Sequence, residues 1–112
     1  MPPDRLNPYF SALWDHAAGK PGAVEDHPWE DEPVFKVKGK IFVFLGSSDP
    51  AHMTVKAAPD DLDGLLAIAY IEKAPYVGRY GWVLVKVEDD EALDLARELI
   101  DTSYEIISRK RK

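Results

Sequence analysis

The residues of this 112-residue chain best suited to chemistry are cations interleaved with rings: Lys36, Lys38, Lys40 and Lys56, then Arg79, Tyr80, Trp82 and Lys86. Ammonium groups neutralise phosphates while rings stack on bases or wedge between them, so this combination suits a nucleic acid. The segment PYVGRYGW (75–82) sets Arg79 between Tyr76 and Tyr80 with glycines on either side. That arrangement suits a guanidinium offered to a phosphate or a base edge. Each group also has a plainer role. Lysines at solvent-facing strand positions are ordinary and discourage edge-to-edge pairing. Trp82 suits packing under the 70–81 segment. A glycine-punctuated turn equally lets the tyrosines cover a sheet edge while Arg79 pairs with a carboxylate.

Other chemistries have less to work with. No cysteine is present, which excludes disulfides and thiolate metal sites. His16, His27 and His52 are scattered, and no Gly-x-Ser-x-Gly or glycine-rich phosphate loop occurs. No catalytic residue is assigned, and the expectation is a non-enzymatic protein. Ser47 and Ser48 beside Asp49 are turn chemistry. The acidic run Glu25, Asp26, Glu30, Asp31 and Glu32, with His16 and His27 nearby, offers hard oxygen ligands to Mg²⁺, Ca²⁺ or Fe²⁺. Its spacing matches no EF-hand loop, and a solvated charge run accounts for it. No metal and no cofactor is expected.

The elements that must position the cations are legible from pattern. Asn7-Pro8 suits the start of a helix, with Asn as N-cap and Pro at the first helical position. Phe10, Leu13, Trp14 and Ala17 recur at helical spacing, and Gly19 with Pro21 ends the helix. Ala23 to Asp26 suits a short edge strand. Two runs rich in β-branched and aromatic residues, Pro33–Val37 and Lys40–Leu45, flank Lys38-Gly39, which predicts a two-residue hairpin. That pairing sets Val37 opposite Lys40, Phe35 opposite Phe42 and Val34 opposite Val43. His52 to Ala57 is a further strand, and Asp60 and Asp61 open a short helix with Leu62, Leu65, Leu66 and Ala69 on its apolar side. A strand fragment is expected at Tyr70–Glu72, a clear strand at Trp82–Val87, and a final helix from Glu88-Asp89-Asp90-Glu91 onward. Leu93, Ala96, Ile100, Tyr104 and Ile107 form the buried stripe of that helix.

Strand alternation then sorts the side chains into faces. Val83, Val85 and Val87 share one face with Met53, Val55 and Ala57. Helices cover the aliphatic face of such a sheet, which leaves Trp82, Lys86, His52, Thr54 and Lys56 on the other. The first hairpin is apolar on both faces, so pattern leaves open whether it adds Lys36 or Lys40.

Composition bounds the remainder. With 46% hydrophobic residues, the chain is expected to be a single domain spanning 1–112 with a basic tail at 109–112. The net charge is −6, but it is unevenly distributed. Residues 1–32 hold two basic and seven acidic groups, residues 33–87 seven and five, and residues 88–112 five and eight. The strand-forming middle is thus the positive part of an acidic protein. The apolar runs are far shorter than the ~20 residues of a membrane span. The start, Met-Pro-Pro-Asp-Arg, has no apolar h-region. No membrane association and a cytoplasmic location are expected.

The succession of parts also carries a likeness. A helix leads to His27-Pro28-Trp29 and Val34-Phe35-Lys36-Val37, followed by Lys40-Ile41-Phe42, Val55-Lys56, Pro75 to Val83 and a last helix with Ser103-Tyr104. From about Leu6 to Ile107 this order resembles the MmcQ/YjbR family. The resemblance implies an α+β fold of the CyaY/frataxin kind, a single antiparallel sheet of about five strands with the N- and C-terminal helices packed on one face. It also implies a role in binding DNA. It does not imply iron binding, because frataxin-like acidic ridges lie on the first helix and adjoining strand, and here that helix has only Asp15, with Asp4 at its edge. The expectation is a DNA-binding protein using Lys36, Lys38, Lys40, Lys56, Arg79 and Lys86 on phosphates, with Tyr80 and Trp82 stacking or wedging, as a monomer or weak homodimer. The alternatives are a protein-interaction or small-ligand module using the same face or a pocket under residues 70–81, and an enzyme acting on an anionic substrate through Arg79 and Lys56.

Overall fold

The computed structural model describes residues 7–28, 33–46, 50–75 and 80–109. Among them, helix α1 (Pro8–Ala18) precedes strands β1 (Val24–Asp26), β2 (Val34–Val37), β3 (Lys40–Gly46) and β4 (Ala51–Lys56). A 3₁₀ turn (Pro59–Asp61), helix α2 (Leu62–Leu66), strands β5 (Ile71–Lys73) and β6 (Trp82–Val87) and helix α3 (Asp90–Arg109) complete the order. The strands form one sheet in the order β1-β2-β3-β4-β6-β5, antiparallel throughout. The count is six rather than about five because both short edge pieces pair: β1 with β2 and β5 with β6. The α+β architecture is the expected one, with α3 lying along β3, β4 and β6 and α1 packing on α3.

Local chemistry explains the element ends. Asn7 caps α1 by accepting hydrogen bonds from the Tyr9 and Phe10 amides at 3.0 and 3.2 Å. Asp89 does the same for α3 through the Ala92 amide at 2.8 Å, with Asp90 and Glu91 in the first turn. The hairpin turn has positive φ at both positions, 54° at Lys38 and 81° at Gly39, as a primed two-residue turn requires. The short helix stops at Leu66, and Ala69 is exposed beyond it rather than on its apolar side. Five residues that include Gly64 are too few to carry that stripe further.

The hairpin register departs from simple pairing. Val37 does lie opposite Lys40, but Phe35 lies opposite Val43 and Val34 opposite Phe44. The expected Phe35–Phe42 and Val34–Val43 pairs are not formed, because Phe42 is an extra residue in β3, a bulge. The cause is packing. Phe42 and Val43 are both fully buried. Phe42 meets the Tyr104 ring edge-on, centroids 5.2 Å apart, while Val43 continues the core row through Val55 and Val83. One inserted residue lets two successive side chains turn toward the helices. It also orients the hairpin, leaving Lys36, Ile41 and Phe44 on the helix-free face.

Beyond Val43–Val55 the β3–β4 ladder ends. There the fully buried Ser103 of α3 takes over, accepting from the Lys56 amide at 3.0 Å and donating to the Phe42 carbonyl at 2.7 Å. A second polar cluster ties α3 to the end of α1. His16 Nε2 lies 2.8 Å from Asp101 Oδ1, and Lys20 reaches the same oxygen. Tyr104, half-buried rather than inside the stripe, donates to the Pro21 carbonyl at 2.5 Å.

Ser103→Ala leaves a buried amide and a buried carbonyl without partners. Urea denaturation is expected to show a loss of about 2–6 kcal/mol, from ~1–3 kcal/mol for each of the two unmet groups. Burial pushes the Asp101 carboxyl up, but the hydrogen bonds and charges of Lys20 and His16 outweigh it and hold the group below its ordinary value. The resulting stabilisation is therefore present above the unfolded-chain value of ~3.9 and lost as pH falls through the lower folded one. Asp101 is nearly half exposed, so solvent screens the cluster. Asp101→Asn is expected to cost a few tenths to about 1 kcal/mol at neutral pH. Its denaturation midpoint is expected to converge with the wild type in acid.

Candidate nucleic-acid interface

The face of the sheet away from the helices is built from every second strand residue. Across the middle run Asp26, Val34, Phe44, Thr54, Leu84 and Glu72, each paired with the next through the ladder. On one side of that row lie the pairs Lys36–Ile41 and Lys56–Trp82, and on the other His52–Lys86. Burial follows the same alternation, with Met53, Val55, Val83 and Val85 fully covered while Thr54, Lys56, Trp82 and Leu84 are partly open.

Toward the hairpin end this face is concave. An open groove of about 570 Å³ is lined by Lys36, Gly39, Lys40, Ile41, Phe44, Lys56 and Trp82, with Ile106 and Ile107 from the last turns of α3. Its position follows from the bulge. Where β3 and β4 stop pairing, the strands part, and side chains of α3 reach the gap between them. Phe44 and Trp82 form one wall, ring centroids 5.6 Å apart and planes at 74°. That is the edge-to-face arrangement aromatic quadrupoles favour. The register puts Lys36 on the helix-free face and Lys40 opposite Val37 beside the turn, and both line the groove.

The cations differ in their partners. Lys36 pairs with Asp26 at 2.8 Å, and this hydrogen bond, with that from the His27 amide, holds the Asp26 carboxyl below its ordinary value. Lys56 donates to the Tyr80 carbonyl and keeps its charge uncompensated by that contact. Gly81 follows with φ of 90°, a conformation few other residues adopt. Lys40 is exposed at the foot of β3. On the helical side, Asp90, Glu91, Asp94, Glu98 and Glu105 of α3 are exposed. The acidic surface and the groove thus belong to opposite layers.

A family profile described as YjbR matches residues 18–106, from the end of α1 through most of α3. The chain belongs to the YjbR family. A crystal structure of a protein from Pseudomonas syringae has a TM-score of 0.65 with this YjbR chain, at 21% identity over 83% of it and 93% of the other. At that identity the likeness is one of fold. No curated protein shows a significant match.

Other cations of this YjbR chain lie apart from the groove. Lys38, at the hairpin tip, donates to the Ser108 carbonyl at 2.9 Å and satisfies an otherwise orphaned acceptor at the end of α3. Lys86 is exposed beside His52, roughly 13 Å along β6 from Trp82 at ~3.3 Å per residue. Tyr80 is 57% exposed, and its carbonyl accepts from the groove residue Lys56. Arg79 lies outside the described residues, as do Trp29, Glu30, Asp31, Glu32, the Ser47–Asp49 turn and Lys110–Lys112. The histidines are engaged separately: His16 with Asp101, His27 with Glu25 at 2.5 Å, and His52 through Nδ1 with the Pro50 carbonyl at 3.1 Å. Among the described residues no three of His, Cys, Asp and Glu converge. Among them, too, no helix is long and apolar enough to cross a membrane.

Sequence pattern missed Ile41, Phe44, Ile106 and Ile107 as lining. The signal that finds Phe44 is the bulge, and a bulge is not visible in a run apolar on both faces. A double-mutant cycle on Phe44→Ala and Trp82→Ala is expected to give a coupling of about 0.5–1.5 kcal/mol in thermal or urea unfolding. Additive costs would separate the two rings energetically.

Proposed function

We propose that this YjbR-family chain is a non-enzymatic DNA-binding protein whose contact surface is the helix-free face of the sheet. Lys36, Lys40 and Lys56 contact phosphates and Trp82 packs on a base or sugar. The observation that carries this reading is that those three lysines line one groove together with Phe44 and Trp82. Ammonium rims supply the sequence-independent attraction to a polyanion, and the rings supply short-range contact. The exposed acids of α3 support it as well, since that helix lies on the opposite layer from the open sheet face.

A second reading, a small-ligand module, has one observation in its favour. The volume of about 570 Å³ lies in the range of small-molecule sites. Such a ligand would be anionic and flat to suit the same lining.

Counterion release makes the first reading measurable. Three phosphate contacts predict a slope near −2.7 for log affinity against log salt on a duplex probe and near −2.1 on a single strand, so affinity falls about 40-fold or about 18-fold from ~50 to ~200 mM salt. Lys40→Ala is expected to flatten that slope by about one contact. No binding of any DNA at the low-salt end would defeat the proposal.

A further inference from the structure

We propose that the DNA engaged is single-stranded, with one unpaired base seated in the groove beside the end of the β3–β4 ladder; this rests on the DNA-binding reading above. The geometry points this way on two counts. First, the contact surface is recessed and apolar. Ile41, Ile106 and Ile107 lie within the lining, and the Phe44–Trp82 pair forms a wall. A duplex keeps its base faces stacked and presents phosphates and base edges, so it leaves such a concavity unfilled. An unpaired base offers a flat π face of the kind that aromatic side chains take.

Second, the cations sit on both sides of the recess. Lys36 and Lys40 belong to the hairpin and Lys56 to β4, and these are the strands that diverge. A strand crossing the gap with its base turned in carries one phosphate before the base and one after it, and this spacing meets an ammonium group on each wall. Because Lys56 is held against the Tyr80 carbonyl, its position is set before the strand arrives.

The test compares three probes at one low salt concentration: a 12-mer of oligo(dT), a 12-base-pair duplex, and thymidine monophosphate. Binding is followed by anisotropy for the oligomers and by tryptophan quenching for all three. The oligomer is expected to bind about ten-fold or more tighter than the duplex, the size of effect that stacking of one base supplies. Trp82→Leu, confirmed as folded by circular dichroism, is expected to remove that preference. Lys40→Ala, a surface change, is expected to weaken oligomer and duplex alike. Equal or tighter binding of the duplex overturns the single-strand proposal while DNA binding stands. Binding of neither DNA overturns both. A mononucleotide that matches the oligomer in affinity also overturns it, in favour of a small-ligand site.

Discussion

The arrangement turns on one hydroxyl group. Ser103 stands between the Phe42 carbonyl and the Lys56 amide, where a direct strand-to-strand bond would otherwise close the ladder. Its place inside the core is tenable because both of its bonds are made; an apolar residue there would strand two backbone groups at once. The same bond lets β3 bulge at Phe42 without loss of hydrogen bonding, and the bulge in turn brings Phe42 against Tyr104 and Phe44 against Trp82. A helix side chain thereby sets the shape of the opposite face of the sheet. Core packing and groove geometry are two consequences of a single irregularity.

Charge is arranged around that frame in layers. At the end of α1, Lys20 serves the Asp101 carboxylate and lies 5.6 Å from the centre of the Tyr104 ring, so an acidic position of α3 also anchors the helix pair. At the other end of α3, Lys38 meets the Ser108 carbonyl. The C-terminal end of a helix carries partial negative charge, which would repel an anion beside Ile106 and Ile107. An ammonium group on that carbonyl offsets the repulsion near the groove. Lys38 therefore acts on the groove through the helix end, without lining it.

How much of this was legible from residues alone depends on whether a local rule decided the matter. Asn7-Pro8, Lys38-Gly39 and the Val83–Val85–Val87 alternation each obey a short-range constraint, and the elements follow. The family likeness rested on the order of those same elements. The register of β3 did not follow from pattern, because Ile41 to Leu45 is apolar at every position and either face satisfies periodicity. What decided it was volume on the helical side and a serine some 60 positions later, both long-range facts. Ser103 entered the sequence reading only through the family likeness, as part of Ser103-Tyr104 in the last helix. The pairing of Lys36 with Asp26 likewise required the edge strand to be in register.

That last pair bears on how the groove meets an anion. Asp26 holds one of the three ammonium groups, and Lys36 in return keeps the carboxyl ionised. Among the described residues the rim therefore presents two cations with no acidic partner, Lys40 and Lys56, and one that is shared. An exposed ion pair of this kind is worth little because water screens it. A phosphate arriving at Lys36 thus exchanges one weak partner for another rather than filling a vacancy. The carboxylate left behind opposes the phosphate unless the strand keeps it at a distance. Attraction at long range is then dominated by Lys40 and Lys56, and Lys36 contributes chiefly once contact is made. On the DNA-binding reading, an edge strand carrying an acid beside the cationic rim would lower indiscriminate binding and leave the rings of the recess to decide which anions stay.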